Sequence, residues 1–555
     1  MSEKNQPKGW TNESTADTTH SSHMKWFVKG DVEGFFAFGL DAMLAFLLMS
    51  SLLIGYLGFS SDLVFTRILP AAAVGLIIGN SFYAYQALKL GRRENRGDVC
   101  AMPYGTSTLT LIIYVFLIMF PTQQKALAEG FDKESADILA WHTGLLACIV
   151  SGSIEFFGAF IVQYIRNVIP RVVMLVAVAG TGLAFLSMDY VMRTFANPII
   201  GFATLTLVFI FYFGGVKAKG GIPGGLIVLV IGTGIAWFLY GMGMPSPVPG
   251  SDINTSYFGL NLPTPEVQNL LSSLPYIIEY LPLIIPFGFI FLIGSLQNIE
   301  GAAAAGDSYE PRPLLLMNGL GSLGAAFMGS PFPTSIFLGH PGYKSIGARA
   351  GYSMLNSIVW SIVAFTGTLS LFTYLIPIEA VMALIIWIGI IVCSQNFQVS
   401  ERKHMPAIVF GLIPAFAAYA GLTVKHALAV ASIQSGQNFF TPETEIAMIE
   451  LRGFYLNGMF AIGQGYIYSS MVLAGITYYI IEQRFKVAAY WALTGAGLTI
   501  FGFTHAYKYI STDVIGLLSL PMPTWNSWAT GYVIMATILW LTPYFTKPGK
   551  EHLDI

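Results

Sequence analysis

Pro103-Tyr104-Gly105-Thr106-Ser107 and Pro331-Phe332-Pro333-Thr334-Ser335 are two forms of one phrase, far apart in the chain. Each opens a short apolar stretch, 103–120 and 332–346, that Pro and Gly interrupt where its neighbours run unbroken. A second echo joins Ile169-Pro170 through Met174 to Ile376-Pro377 through Met382. Read as membrane spans, the members of each pair stand seven spans apart. An odd repeat inverts the topology of its second copy, so the pattern predicts an all-α membrane protein built as a seven-plus-seven inverted repeat.

The chemistry of the phrase suggests what it is for. Proline lacks an N–H and keeps the residue before it extended, so a helix is expected to begin just after it. Thr and Ser at the entry can cap that helix, and its unpaired N–H groups point inward with the positive end of its dipole. Two such termini facing each other would cradle an anionic or hydrogen-bond-accepting ligand, with Tyr104 and Phe332 as aromatic faces beside it. Non-helical backbone at membrane depth is tolerated mainly where it lines a cavity.

Outward from these motifs the composition agrees. The 555 residues are 54% hydrophobic and 10% charged, whereas soluble domains carry roughly a quarter charged residues. That excludes a soluble enzyme. Runs such as 35–57, 138–165 and 222–242 each exceed the roughly 20 helical residues needed to cross a bilayer. Sixteen spans are read in all. The predicted organisation is a polar cytosolic tail over 1–30, a first repeat over 31–243, an outer loop over 244–274, a second repeat over 275–482, two additional spans over 483–546 and a cytosolic tail over 547–555. The first 30 residues lack the pattern of a signal peptide. With the N-terminus inside, 21 of the 28 basic residues fall on the cytoplasmic side (Lys4, Lys8, Lys25, Lys29, Lys89, Arg92, Arg93, Arg96, Arg166, Arg171, Lys217, Lys219, Arg312, Lys344, Arg349, Arg402, Lys403, Arg484, Lys486, Lys547 and Lys550). This satisfies the positive-inside rule and places both termini in the cytosol.

Polar groups inside spans mark pathways or relays. The eighth span carries Gln297, Asn298 and Glu300, and a carboxyl group there suits the binding and release of a coupling proton. Gln297 and Glu300, three apart, share a helix face. Asp41 in the first span is a second candidate acid. Asn80, Tyr83 and Gln86 fall at helical spacing in the second, and His340 in the tenth reads as a hydrogen-bonding residue. Gly319-Leu320-Gly321-Ser322-Leu323-Gly324 fits a dinucleotide-binding pattern but lies in an apolar span, so it reads as a small-residue helix contact. Cys100, Cys148 and Cys393 are scattered, and no zinc, nucleotide or nucleophile motif occurs. No enzyme activity, cofactor, metal or nucleic-acid partner is expected.

Asp98-Val-Cys-Ala-Met-Pro-Tyr-Gly-Thr106, Gly294-Ser-Leu-Gln-Asn-Ile-Glu300 and Gly329-Ser-Pro-Phe-Pro-Thr-Ser335 with Gly339-His-Pro-Gly342 resemble the bacterial branch of the xanthine/uracil permease family, the nucleobase–cation symporter-2 group, over roughly residues 30–480. The resemblance implies fourteen helices split into core and gate domains, an elevator-like movement, a homodimer in the bacterial inner membrane, a nucleobase substrate and H+ or Na+ as coupling ion. This chain departs from the family pattern in two places. Asn298 stands three before Gly301 where an acid is usual, and Leu338, Gly339 and His340 stand where the tenth helix usually offers a carboxylate or amide. The stretch from Gly329 to Tyr343, with Ser345 and Gly347-Ala348-Arg349, is also similar to sulfate permease-type anion transporters, which implies a small-anion substrate as the alternative.

The expected site therefore comprises Tyr104, Gly105, Thr106, Ser107, Gln297, Asn298, Phe332, Thr334 and Ser335 around the substrate, with Glu300 and Asp41 for coupling. On this reading Glu300→Gln abolishes uphill accumulation and spares exchange. Equal pH dependence of uptake in wild type and variant would argue against that role.

Overall fold

At the two motifs the backbone is strand. Tyr104–Thr106 (β1) and Thr334–Ile336 (β2) pair antiparallel, with Tyr104 opposite Ile336, Gly105 opposite Ser335 and Thr106 opposite Thr334. The helices begin later than the sequence suggests, at Thr108 and His340. The physical reason is mutual: two extended segments meeting in mid-membrane satisfy each other's backbone groups, which lipid cannot do. The computed structural model describes residues 24–106, 108–162, 164, 169–246, 257–266, 270–510, 513–516 and 523–547.

Around this crosspiece the first repeat supplies helices α1 (Lys29–Tyr56), α2 (Leu63–Arg93), α3 (108–128), α4 (Lys133–Gly158), α5 (Arg171–Ala196), α6 (Pro198–Phe213) and α7 (Gly224–Gly241). The second supplies α8 (Leu274–Ala304), α9 (Pro311–Phe327), α10 (His340–Ser345), α11 (Gly351–Phe365), α12 (Met382–Gln398), α13 (Arg402–Ser435) and α14, a pair Leu456–Gly463 and Tyr466–Ile481 bent by 89°. Two more helices follow, α15 (Phe485–Ile500) and α16 (Ser527–Phe545), separated by a hairpin of β3 (Tyr507–Ile510) and β4 (Asp513–Gly516). Local signals set several starts: Asp132 caps α4 by accepting from the Ser135 N–H at 2.8 Å, and Asn526 caps α16 by accepting from the Ala529 N–H at 2.9 Å.

Every span read from the sequence contains an element, and boundaries moved where polar residues continue a helix. The thirteenth, read as ending at 422, runs on to Ser435 through Lys425 and His426. Among the described residues, seven helices are long and apolar enough to cross a membrane, and the bent pair would make an eighth. The protein is an integral, multi-pass membrane protein.

The inverted repeat is visible in the packing itself. α1 packs on α11 as α8 packs on α4, and α2 on α11 as α9 on α4. Likewise α6 lies against α7 as α13 lies against α14, and α13 against α5 as α6 against α12. The self-related pairs α2 with α9, α5 with α12 and β1 with β2 mark the pseudo-two-fold axis. Two bodies result. One holds α1–α4 and α8–α11, and the other α5–α7 and α12–α14.

Tyr104 locks the crosspiece to the first body. Its ring lies against Gly79 of α2, and its hydroxyl sits beside Gly321 of α9, 2.5 Å from Thr334 Oγ1. A Cβ at either glycine would overlap the Tyr104 side chain. The Gly319–Gly324 run is thus a packing surface, with Gly319 against Phe156 of α4. Gly321→Ala is expected to lower stability by about 1–3 kcal/mol through overpacking, read as a lower melting temperature in detergent. An unchanged melting temperature would contradict the close approach.

Candidate functional site

Between the two bodies α8 and α10 face α5 and α12 across a narrow gap. Leu175, Val178 and Val392 make its walls apolar, while Asn298, His340, Gln395 and Asn396 bring polar groups to it. Mostly apolar walls with a few converging polar groups are what a small-molecule site requires.

Three of these side chains hold buried polar atoms without a hydrogen-bond partner: Asn298 Oδ1, His340 Nδ1 and Asn396 Nδ2. Their other ends are anchored. Asn298 Nδ2 donates to the Ile336 carbonyl at 2.8 Å, tying α8 to β2. His340 Nε2 lies 3.0 Å from the Cys100 carbonyl and 3.2 Å from Asp307 Oδ2. Both are acceptors when Asp307 is ionised, so Nε2 carries a proton and Nδ1 is the nitrogen left over. Gln395 Nε2 donates to the Gly301 carbonyl at 2.7 Å, joining α12 to α8 across the gap. Unpaired polar atoms in a buried site cost stability, so each calls for a partner such as a water, an ion or a ligand.

Behind His340 stands a charged hub. Asp307, fully buried in the loop after α8, accepts from Lys344 Nζ at 2.6 Å, Arg96 Nη2 at 2.7 Å and the Cys100 N–H at 3.0 Å. Burial opposes its charge, yet the hydrogen bonds and charges of His340 and Lys344 prevail and hold the Asp307 carboxyl well below the usual carboxylate range. One carboxylate thus faces two permanent cations and an imidazole.

The residues singled out in the sequence are placed as follows. Tyr104 and Thr334 meet, but in each other's company: the Thr334 N–H donates to Ser322 Oγ at 3.0 Å, and both side chains are buried. Phe332 is fully buried, its ring 6.4 Å from that of Tyr114. Gly105 faces a half-buried Ser335 across the strand pair. Ser107 lies outside the described residues. Thr106 borders a second small gap, lined also by Ala42, Ala45, Phe46, Met49 and Leu76. Asp41, half-buried on α1, neighbours that gap in sequence. Gln297 turns to α14, with Nε2 3.2 Å from Met471 Sδ. Glu300 accepts from Arg171 Nε of α5 at 3.0 Å, its side chain 3% exposed against 47% for the arginine. Of the three polar residues read in the eighth span, only Asn298 lines the cavity.

Sequence reasoning missed Gln395 and Asn396, although two adjacent amides in an apolar span are the same signal that picked out Gln297. It also missed the hub, because nothing local connects Arg96, Asp307 and Lys344.

No family model matches the chain, and no curated protein matches it. Among solved structures it is similar to the overall structure of SLC26A9, at 15% identity and TM-score 0.42, over 70% of this chain and 62% of that one. It is similar also to the transmembrane domain of a cyanobacterium bicarbonate transporter, BicA, at 14% identity and TM-score 0.39, over 70% and 96%. Murine Slc26a9, an anion transporter in the inward-facing state, matches at 15% identity and TM-score 0.41, over 75% and 70%. The chain thus spans less than two thirds of the first of these. Its own inverted packing carries the fold assignment.

Asp307→Asn is expected to cost about 3 kcal/mol by leaving Lys344 and Arg96 facing a neutral amide. Because the folded-state carboxyl titrates below its unfolded value, the stabilisation is present above about pH 4 and fades as pH falls further. The gap in melting temperature between wild type and variant should therefore narrow on acidification below that point, and a constant gap would refute the ionised hub.

Proposed function

We propose that the chain is a secondary transporter of a small anion, bound between α8–α10 and α5–α12. The single observation that carries this reading is the cavity between the two bodies with unpartnered buried polar atoms on Asn298, His340 and Asn396. A site at the meeting of two repeats, next to discontinuous backbone, is the arrangement of carriers that work by alternating access.

The character of the groups favours an anion. Asn396 Nδ2 is a buried donor with no partner, and it faces the gap. Glu300, the nearest acid on α8, is paired with Arg171. The nucleobase reading relied on aromatic faces at Tyr104 and Phe332, and both rings are engaged in packing. Asn298 Oδ1 is an acceptor and suits an anion that itself carries a proton.

Transport follows if one body slides against the other. The polar contacts that bridge them include Glu300 with Arg171, Gln395 with the Gly301 carbonyl, Gln297 with Met471, and Glu33 of α1, which accepts from the Gly224 and Gly225 N–H groups of α7 at 2.8 and 3.0 Å. A carrier must remake such contacts each cycle. The charge distribution supports both termini on the cytoplasmic side.

A thermal-shift screen of the purified protein tests the substrate class, since a ligand that binds only the folded state stabilises it by about 2.7 kcal/mol at one hundred times its dissociation constant. Sulfate, nitrate or bicarbonate is expected to raise the melting temperature, and His340→Ala to remove the rise. Stabilisation by xanthine or uracil, with no response to anions, would restore the nucleobase reading.

A further inference from the structure

A carboxyl group that the cavity does not use lies deep in the first body. Glu155, on α4, is 2% exposed. Ser295 of α8 donates to its Oε1 at 3.1 Å, and Asn318 Nδ2 of α9 donates to that same Ser295 hydroxyl at 2.9 Å. The Tyr83 hydroxyl of α2 closes the chain on Asn318 Oδ1 and the Leu314 carbonyl. Four helices of one body thus contribute to a polar string that ends on a single acid.

The groups around that acid decide its charge state. α2 presents Tyr83, α3 presents Tyr114, β1 presents Tyr104 and α4 itself presents Cys148. α8 presents Ser295 and α9 presents Asn318, and no Lys, Arg or His is paired with Glu155 among the described residues. Glu300 lies further along α8 and is paired with Arg171, while Arg312 of α9 stacks on Phe160 at 4.5 Å. An ionised carboxylate removed from water needs a cation or several strong donors. Ser295 and Asn318 meet that need only in part, so the packing accommodates the neutral acid.

We propose that Glu155 is a proton-binding site, loaded in the conformation described here, which gives the carrier its coupling ion. The step is a proton association: the carboxylate oxygen takes a proton from water on one side and returns it on the other. Because α2, α4, α8 and α9 belong to one body, the proton travels with that body. Ser295 and Asn298 are three apart on α8, so the loaded acid and the cavity share one helix face. Protonation thereby sets the position of the turn that presents Asn298 Oδ1. The proposal rests on the carrier reading for its role in coupling, and on geometry alone for the proton site.

Two measurements separate those parts. Infrared difference spectra of the purified protein, taken between mildly acidic and mildly alkaline buffer, report the carbonyl stretch of a neutral buried carboxyl group without any substrate. The band is expected in wild type, absent in Glu155→Gln and displaced in Ser295→Ala, which keeps the acid and removes its donor. A band absent from wild type, surviving in Glu155→Gln, or unmoved in Ser295→Ala overturns the site. In proteoliposomes loaded with a pH dye and given a sulfate or nitrate gradient, the proton flux per anion exchanged should fall to the level of empty vesicles in Glu155→Gln and persist in Glu300→Gln. The reverse pattern assigns coupling to Glu300 and overturns the proposal. Failure of wild type to exchange any probe anion, with the infrared band present, defeats the carrier reading and leaves the proton site standing.

Discussion

Backbone polar groups inside a bilayer must find partners within the protein, and the architecture is arranged around one place where helix cannot provide them. At β1 and β2 the two repeats leave helical conformation and pair with each other, so each half completes the other's hydrogen bonding. Tyr104, Thr334 and Ser322 fix this crosspiece to α2 and α9, with Gly79 and Gly321 letting the ring approach. Neither half could bury that segment alone, which makes the inverted pairing of repeats a requirement of folding as well as a symmetry.

The crosspiece also sets the division of labour between the bodies. The body that contains it holds the polar string to Glu155 and one side of the cavity, while α5 and α12 provide the opposing wall. Charges are kept to the margins of this arrangement. Asp307 gathers Arg96, Lys344 and His340 where α8 ends, and Arg171 meets Glu300 where α5 begins. The cavity itself is left with three amides and one imidazole, groups that recognise a ligand by hydrogen bonds at modest desolvation cost.

Much of this was legible in the sequence, for identifiable reasons. Helices of apolar residues declare themselves by length, and Pro103 and Pro331 stand out because proline within such runs is costly unless backbone leaves the helix. Strand pairing at Tyr104–Thr106 was not legible, since three residues carry no periodicity. The same limit hid the fate of Tyr104 and Phe332, whose rings fill packing space that only the tertiary arrangement defines. His340 was visible as a polar residue, yet its value depends on Asp307 and Cys100, remote in sequence. Glu155 was available by the rule that flagged Glu300, an acid within an apolar span.

The two halves share a plan but differ in how much they fill. After β1 the chain continues as α3 to residue 128, whereas after β2 it makes only the six residues of α10 before turning away at Ser345. One of the two gaps lies against that shorter element, α10, and the other borders β1 at Thr106. The two repeats are therefore not interchangeable: a group placed against α10 meets a short turn and the His340 side chain, where its counterpart across the axis would meet the start of a long helix.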